Sequence, residues 1–374
     1  MGGVNFPLDS PLANKYFSVI RFEAGRRIFL SNEIHNPSRR DFLKRVMMGA
    51  GGYAFGSVLI YSREAMGQSK ESAMSETSFS FRELSEAGKI TLATSQSLQA
   101  TDGISLSYRR YTPAAPRAAV LFYHGGGAHS GAGYQYIGNG LQTKFDTVVY
   151  TPDIRGHGFS GGPRGDAPNP KQVWEDITSF IKQIRADYPQ LPLFLGGHSS
   201  GAGLALNYTS EHDHERVTGY VFLSPQLGFR SQTDRPAQSE PFAKVDVSAF
   251  ADYAMSGGTA RGHDYAVRFN YPAELLKADP GMVPAITVNM SIALTPFSPR
   301  EQFAALDCPF GLWIGSEDEL FVPEKVLAFA NLAGSVRSRS QVGTIAGGKH
   351  LSVLVRAHET IGPWITSMVN DKKP

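Results

Sequence analysis

The stretch Leu193-Phe194-Leu195-Gly196-Gly197-His198-Ser199-Ser200-Gly201-Ala202-Gly203 constrains this chain more than any other. An apolar run suited to a buried strand stops at Gly197-His198-Ser199-Ser200-Gly201, which satisfies G-x-S-x-G, and Ala202 to Tyr208 then reads as a helix start. Strand, tight turn and helix together put a serine at the apex. A sharp turn of this kind needs small flanking residues, because a Cβ on either side would hold strand and helix apart. Ser199 is therefore the candidate nucleophile. The pentapeptide alone is a weak signal in a chain with 39 glycines, so the surrounding chain has to supply its context.

That context is an alternation of strands and helices. Ile90 to Leu98 and Ile104 to Tyr111, separated by Thr101-Asp102-Gly103, read as an antiparallel hairpin. Ala118 to Tyr123 is a continuous apolar run, expected of a strand buried on both faces, and ends in His124-Gly125-Gly126-Gly127. Thr147 to Thr151 is the next strand, followed by Asp153-Ile154-Arg155-Gly156-His157-Gly158-Phe159-Ser160-Gly161-Gly162. Pro170 to Tyr188 carries Val173, Ile177, Ile181 and Ile184 at helical spacing. After the Ser199 turn come a strand at Gly219 to Leu223 and another at Pro309 to Ile314. A helix at Pro323 to Ala333, a last strand at Ser338 to Ile345 and a closing helix at Leu351 to Val369 complete the chain. The pattern predicts an α/β fold with a mostly parallel central sheet covered by helices on both faces. Between about 229 and 300 the rhythm breaks, as expected of a cap inserted over the site. Most of its aromatics, Phe242, Phe250, Tyr253, Tyr265, Phe269 and Tyr271, are expected to form the cap's own small core.

The N-terminus reads as an address. Ser38-Arg39-Arg40-Asp41-Phe42-Leu43-Lys44 fits the twin-arginine export consensus S-R-R-x-F-L-K. A moderately apolar run, Met47 to Tyr61, and small residues at Ala65-Met66-Gly67 follow it. The chain is expected to meet the twin-arginine machinery and to be periplasmic or secreted, or membrane-tethered where the signal is not cleaved. Ser69 to Glu86 is polar and reads as a linker.

Composition removes several classes of function. A formal net charge of +2 offers no electrostatic case for nucleic acid. The single cysteine, Cys308, excludes an intrachain disulfide and any multi-cysteine zinc site. His212-Asp213-His214 has metal-capable side chains but no third partner nearby in sequence, so no metal is expected. Gly125-Gly126-Gly127-Ala128-His129-Ser130 does not complete G-x-G-x-x-G and no G-x-x-x-x-G-K-[ST] occurs, so no nucleotide or other cofactor is expected.

A serine hydroxyl needs a base to take its proton, and the imidazolium so formed needs an anion. In chain order the candidates are Ser199, Asp318 and His350, each just beyond a predicted strand. Glu317 and Glu319 adjoin Asp318, so a register shift of one residue would change the acid. His157 and Asp153 are expected to be structural, Asp153 by bonding neighbouring backbone.

With these residues placed, the chain from about Ile90 onward resembles the α/β-hydrolase superfamily, and within it the monoacylglycerol lipase and lysophospholipase group, also catalogued with serine aminopeptidases. His124-Gly125-Gly126-Gly127-Ala128-His129-Ser130-Gly131 is similar to that group's H-G-x-G-x-H-S-G loop, and Asp153 to Gly162 to its D-x-x-G-H-G-x-S-x-G segment. The resemblance implies an oxyanion hole formed by the backbone N–H groups of Gly126 and Ser200. It matches Asp318 to the acid of the G-x-x-D strand end and His350 to the base. Two departures stand out: Ser200 where G-H-S-M-G-G is common, and Lys349 before the histidine. The division expected is an extension with signal peptide over 1–67, a linker over 68–88 and a hydrolase domain over 89–374 with a cap at about 229–300. The activity expected is cleavage of a small-molecule acyl ester or lipid through an acyl-enzyme, with transient membrane-surface contact admitted. Cleavage of an amide or a peptide N-terminus, with Asp246, Asp252 or Asp264 holding a substrate amine, is the nearest alternative, and a non-catalytic binding module on the same fold is another.

Overall fold

In a computed structural model, the residues described are 22–23, 26–27, 84, 86–236 and 241–370. The twin-arginine motif, the apolar run after it and most of the linker lie outside them. In the unit that ends at Ile60, Phe22–Glu23 pairs antiparallel with Arg26–Arg27.

The unit that begins at Tyr61 is built on an eight-stranded sheet. Its strands are β1 (Ser95–Gln99), β2 (Ser105–Tyr111), β3 (Ala118–Tyr123), β4 (Thr147–Pro152), β5 (Leu193–His198), β6 (Gly219–Leu223), β7 (Phe310–Gly315) and β8 (Gln341–Ile345). The spatial order is β8-β7-β6-β5-β3-β4-β2-β1. Every pair from β8 to β4 is parallel, while β4–β2 and β2–β1 are antiparallel. The order reverses between β3 and β5, and their C-terminal ends are where an open α/β sheet leaves a crevice.

Burial follows from topology. Strands β3, β4, β5, β6 and β7 are buried along their whole length, which parallel strands covered on both faces require. Alternate residues feed two cores. Ala119, Leu121 and Tyr123 face one, with Ile177, Phe180, Ile181 and Ile184 from helix α2 (Pro170–Asp187) and Leu204 and Ala205 from α3 (Ser200–Tyr208). Ala118, Val120 and Phe122 face the other, with Ile137 and Leu141 of α1 (Gln135–Phe145) and Ile361, Trp364 and Ile365 of α5 (His358–Asn370). Each such buried aliphatic side chain is worth about 1.5–3 kcal/mol. Helix α2 begins where Asn169 accepts a hydrogen bond from the N–H of Gln172 at 3.0 Å, with Pro170 in the first turn.

Several boundaries differ from the sequence expectation. Strand β1 begins at Ser95 rather than Ile90, as its exposed, alternating edge has little apolar patterning to mark a start. The helix expected over Pro323 to Ala333 is α-helical only to Leu327 (α4) and then tightens into 3₁₀ turns, Ala328–Leu332 and Gly334–Arg339, so β8 begins at Gln341 rather than Ser338. The closing helix is two pieces, Val353–Arg356 and α5, with Pro363 inside the second.

Residues 229–300 contain a separate antiparallel sheet of three short strands, Ala243–Val245, Tyr265–Phe269 and Ala285–Thr287, with the helices Val247–Met255, Ala273–Ala278 and Val288–Leu294. Tyr253 is buried in a small core with Ala249, Ala266 and Val288, and Phe250 packs on it. Phe242, Phe269 and Tyr271 do otherwise: they cluster on one another, and Phe269 and Tyr271 press on Gly126 and Gly127. Tyr265 is exposed. The cap's aromatics therefore divide among its own core, the loop after β3 and the surface.

Candidate active site

The turn after β5 is strained where a nucleophile would sit. Ser199 has φ 55° and ψ −122°, a backbone conformation worth about 1–3 kcal/mol of strain for a residue with a side chain. The turn is held by the Ser199 N–H donating to the Leu223 carbonyl at 3.0 Å and by the Ser199 carbonyl accepting from Gln226 N–H at 3.0 Å. Its glycines are sterically required. A Cβ on Gly197 would lie 2.4 Å from the Gly201 carbonyl carbon, and one on Gly201 2.4 Å from the carbonyl oxygens of Tyr123 and His124.

Asp318 and His350 come from the loops after β7 and β8, which are stapled together. Ser316 N–H donates to Ile345 O at 3.0 Å, Glu317 N–H to Gly348 O at 2.9 Å, and Gly347 N–H to Ser316 Oγ at 2.9 Å. Gly315 permits this approach, since a Cβ there would meet Gly348 O at 2.1 Å. Within the loops, Asp318 Oδ2 lies 2.9 Å from His350 Nδ1, and Asp318 Oδ1 accepts from the N–H groups of Leu320 and Phe321 at 3.0 and 2.9 Å. Asp318 is fully buried. Burial by itself would raise its pKa, yet the His350 imidazole and these donors outweigh burial and hold it below the ordinary carboxylate value. For His350 burial opposes protonation, and Asp318, with Glu319 behind it, overcomes that and raises the pKa above the ordinary histidine value.

His350 is gripped at its backbone as well. Its N–H donates to Glu319 Oε2 at 2.7 Å, and its carbonyl accepts from His198 Nε2 at 2.8 Å. Because a carbonyl can only accept, His198 carries its proton on Nε2, and its Nδ1 takes a hydrogen bond from the Tyr134 hydroxyl at 3.0 Å. The same hydroxyl accepts the Gly125 N–H at 2.6 Å. A directed chain therefore runs from the loop after β3, beneath the Ser199 turn, to the loop after β8. Burial pushes the His198 pKa down to about 3, which keeps the ring neutral and the chain intact. The His198 and His350 ring centroids lie 4.7 Å apart, which places His350 beside the residue that precedes Ser199.

Gly125 and Gly126 face the turn from β3: a Cβ on Gly125 would be 3.2 Å from Ser199 Cβ, and one on Gly126 3.1 Å from Ser200 Oγ. The Gly126 N–H makes no hydrogen bond among the described residues, and Ser200 is the first residue of α3, whose N–H has no acceptor within the helix. Both N–H groups, the ones the resemblance assigns to an oxyanion hole, are thus left without an acceptor among the described residues. The loop is fixed from below by His124, whose Nε2 accepts from Ile154 N–H at 3.0 Å, and from the cap by Tyr271 Oη donating to Gly126 O at 2.6 Å and Val283 N–H donating to Gly127 O at 2.7 Å.

Asp153 accepts from the N–H groups of Ser130 and Phe159 at 2.7 and 2.9 Å, while His157 is buried, with its pKa pushed down to about 3 by burial. Both shape the neighbouring loop. His212 pairs with Asp213 on the open surface, and the described residues contain no cluster able to hold a metal ion. The cap carboxylates Asp246, Asp252 and Asp264 all ion-pair with Arg261, at 3.2, 2.8 and 2.7 Å. Sequence reasoning missed Tyr134, Glu319, the backbone role of His198 and the Tyr271 contact. Adjacency to Asp318 and to Ser199 was the available signal for Glu319 and His198; Tyr134 and Tyr271 carried none.

The strand order, the strained turn between β5 and α3 and the acid and histidine loops after β7 and β8 define an α/β-hydrolase. The chain belongs to the family described as Serine aminopeptidase, S33, which it matches over residues 114–353. It is 30% identical over 225 residues to a monoacylglycerol lipase of Mycolicibacterium smegmatis, covering 58% of this chain and 76% of that one. It is also 30% identical over 127 residues to the monoglyceride lipase of Rattus norvegicus, covering 34% of this chain; that match spans 41% of the rat enzyme. In fold it is similar to a soluble variant of monoglyceride lipase from Saccharomyces cerevisiae in complex with a substrate analog, with a TM-score of 0.57 and 17% identity over 75% of this chain and 97% of that one.

Proposed function

We propose that the protein is an exported serine esterase that cleaves monoacylglycerols, lysophospholipids or similar acyl esters through an acyl-enzyme. The observation that carries this reading is the buried Asp318–His350 pair, 2.9 Å apart and tied through His198 to the strained turn bearing Ser199. In the reaction, Ser199 Oγ bonds to the ester carbonyl carbon as His350 Nε2 takes its proton. The carbonyl electron pair moves onto oxygen, held by the N–H groups of Gly126 and Ser200. Collapse expels the alcohol, which takes the proton from His350; water then repeats the sequence, releasing the acid and restoring Ser199. Asp318 keeps the proton of neutral His350 on Nδ1 and stabilises the imidazolium.

Phe269 and Tyr271 over the Gly126 loop, with Phe242 packed on both, supply an apolar wall for an acyl chain. Asp246, Asp252 and Asp264 all converge on the single guanidinium of Arg261, so the cluster keeps net negative charge and the choice between ester and amine substrates falls to the anilide comparison below. The lipid relatives named above support the same substrate class, and the Ser38–Lys44 motif supports export.

The test is initial rates on p-nitrophenyl esters of graded chain length beside an aminoacyl p-nitroanilide, with Ser199→Ala as control. Turnover that rises with chain length and vanishes in the variant is expected, together with Ser199-dependent labelling by a fluorophosphonate. Anilide cleavage without ester cleavage would move the protein to the peptidases, and absence of labelling to a binding role. Export is read by fractionating a bacterial host expressing the full chain: the paired Arg39→Lys and Arg40→Lys substitutions should hold it in the cytoplasm.

A further inference from the structure

We propose that the Ser200 hydroxyl is a third donor to the oxyanion, acting beside the backbone N–H groups of Gly126 and Ser200; this rests on the acyl-enzyme reading above. Ser200 opens α3 immediately after the strained turn. Its Oγ is buried and has no hydrogen-bond partner among the described residues. It lies 3.1 Å from the point a Cβ on Gly126 would occupy, and Phe269 Cζ closes on that same point from the cap at 2.8 Å. The hydroxyl is therefore lodged between the Gly126 loop and the start of a helix, with Phe269 of the cap close by.

A buried hydroxyl without a partner is costly to keep, and a folded protein retains few of them. The partner that fits here exists only during the reaction. When Ser199 adds to the carbonyl carbon, negative charge builds on an oxygen aimed at the Ser200 and Gly126 N–H groups, next to the orphan hydroxyl. The O–H rotates freely about its C–O bond, so N–H and O–H of one residue can converge on one acceptor. It donates a hydrogen bond and transfers no proton. A donor left unpaired in the free enzyme and satisfied at the transition state raises kcat without tightening ground-state binding. The N-terminus of α3 favours the same charge. The methionine of the commoner G-H-S-M-G-G sequence would bring no donor to this position.

The experiment compares wild type, Ser200→Ala and Ser200→Thr on a p-nitrophenyl ester and on binding of an alkylboronic acid, whose adduct with Ser199 mimics the tetrahedral state. Ser200→Ala is expected to lower kcat by about tenfold to a hundredfold with KM within about twofold, and to weaken boronate binding in parallel. Its melting temperature should hold or rise, because an unpaired buried polar atom has been removed. Ser200→Thr keeps the hydroxyl and should restore kcat to within a few-fold. Wild-type kcat in Ser200→Ala overturns the inference. So does a joint fall of kcat and melting temperature that Ser200→Thr fails to rescue, which would assign the residue to packing. Wild type lacking Ser199-dependent ester turnover overturns the acyl-enzyme reading itself, and the inference with it.

Discussion

The two sides of the Ser199 turn are built on different physical terms. Below it, the loops after β3, β7 and β8 are joined by buried side chains bonding to backbone: Glu319 and His198 hold the N–H and carbonyl of His350, and Tyr134 holds the N–H of Gly125. Above it, the cap touches the site through aromatic rings and backbone-level contacts to Gly126 and Gly127, while its charged network around Arg261 faces water. Buried hydrogen bonds in a low-dielectric interior tolerate little displacement, whereas apolar contact is non-directional. The lower half is suited to fixing reacting atoms, and on the proposed function the upper half is the one that accepts varied acyl chains.

Substitutions below the turn are the strongest way to break this comparison. Asp318→Asn should leave the fold intact and lower kcat by about four orders of magnitude, read by steady-state kinetics on a p-nitrophenyl ester. An effect of only a few-fold would shift the role of acid to Glu319. Tyr134→Phe removes the link between Gly125 and His198; a fall in kcat of about tenfold at little changed KM is expected, the size of one lost buried hydrogen bond.

Glu319 separates geometry from charge. His350 must be neutral to act as base, and its pKa is raised, so kcat/KM should fall as pH drops through a value above about 6.5, the ordinary histidine pKa. The groups facing the ring are Asp318, Glu319 and neutral His198. Glu319→Gln keeps an acceptor for the His350 N–H but removes an anion, so the acid limb should move to lower pH with kcat within a few-fold. A pH profile identical to wild type would leave Glu319 a purely steric part. The smallest effect belongs to the upper half: Arg261→Ala should leave kcat on esters unchanged and slightly lower the melting temperature, as exposed pairs contribute little. A marked change in KM would place the Arg261 cluster in substrate recognition.

Much of the lower half was legible in the sequence. Continuous apolar runs at Ala118 to Tyr123, Leu193 to Leu195 and Pro309 to Ile314 can be buried only in a sheet covered on both faces, and the chemistry-bearing residues follow directly at strand ends. Glycine spacing around Ser199 announced the turn because steric exclusion is local, a matter of one Cβ against the next helix. The cap gave no such signal. Its short strands pair through Arg268 with Lys244 on one side and Ala285 on the other without a repeating pattern, and which aromatics turn inward depends on where the segment lands.

By itself, the sequence determined the strand and helix alternation, the strained serine turn and the order of serine, acid and histidine, because apolar periodicity and glycine placement act over a few residues. The sequence already favoured Asp318 through its G-x-x-D match; tertiary structure alone set its Oδ2 against His350 Nδ1 and gave Glu319 the His350 backbone. It also ran the Gly125–Tyr134–His198 chain beneath the turn and left the Ser200 hydroxyl without a partner among the described residues. Those are decisions of direction and distance between segments far apart in the chain, and residue type does not encode where a hydrogen bond points.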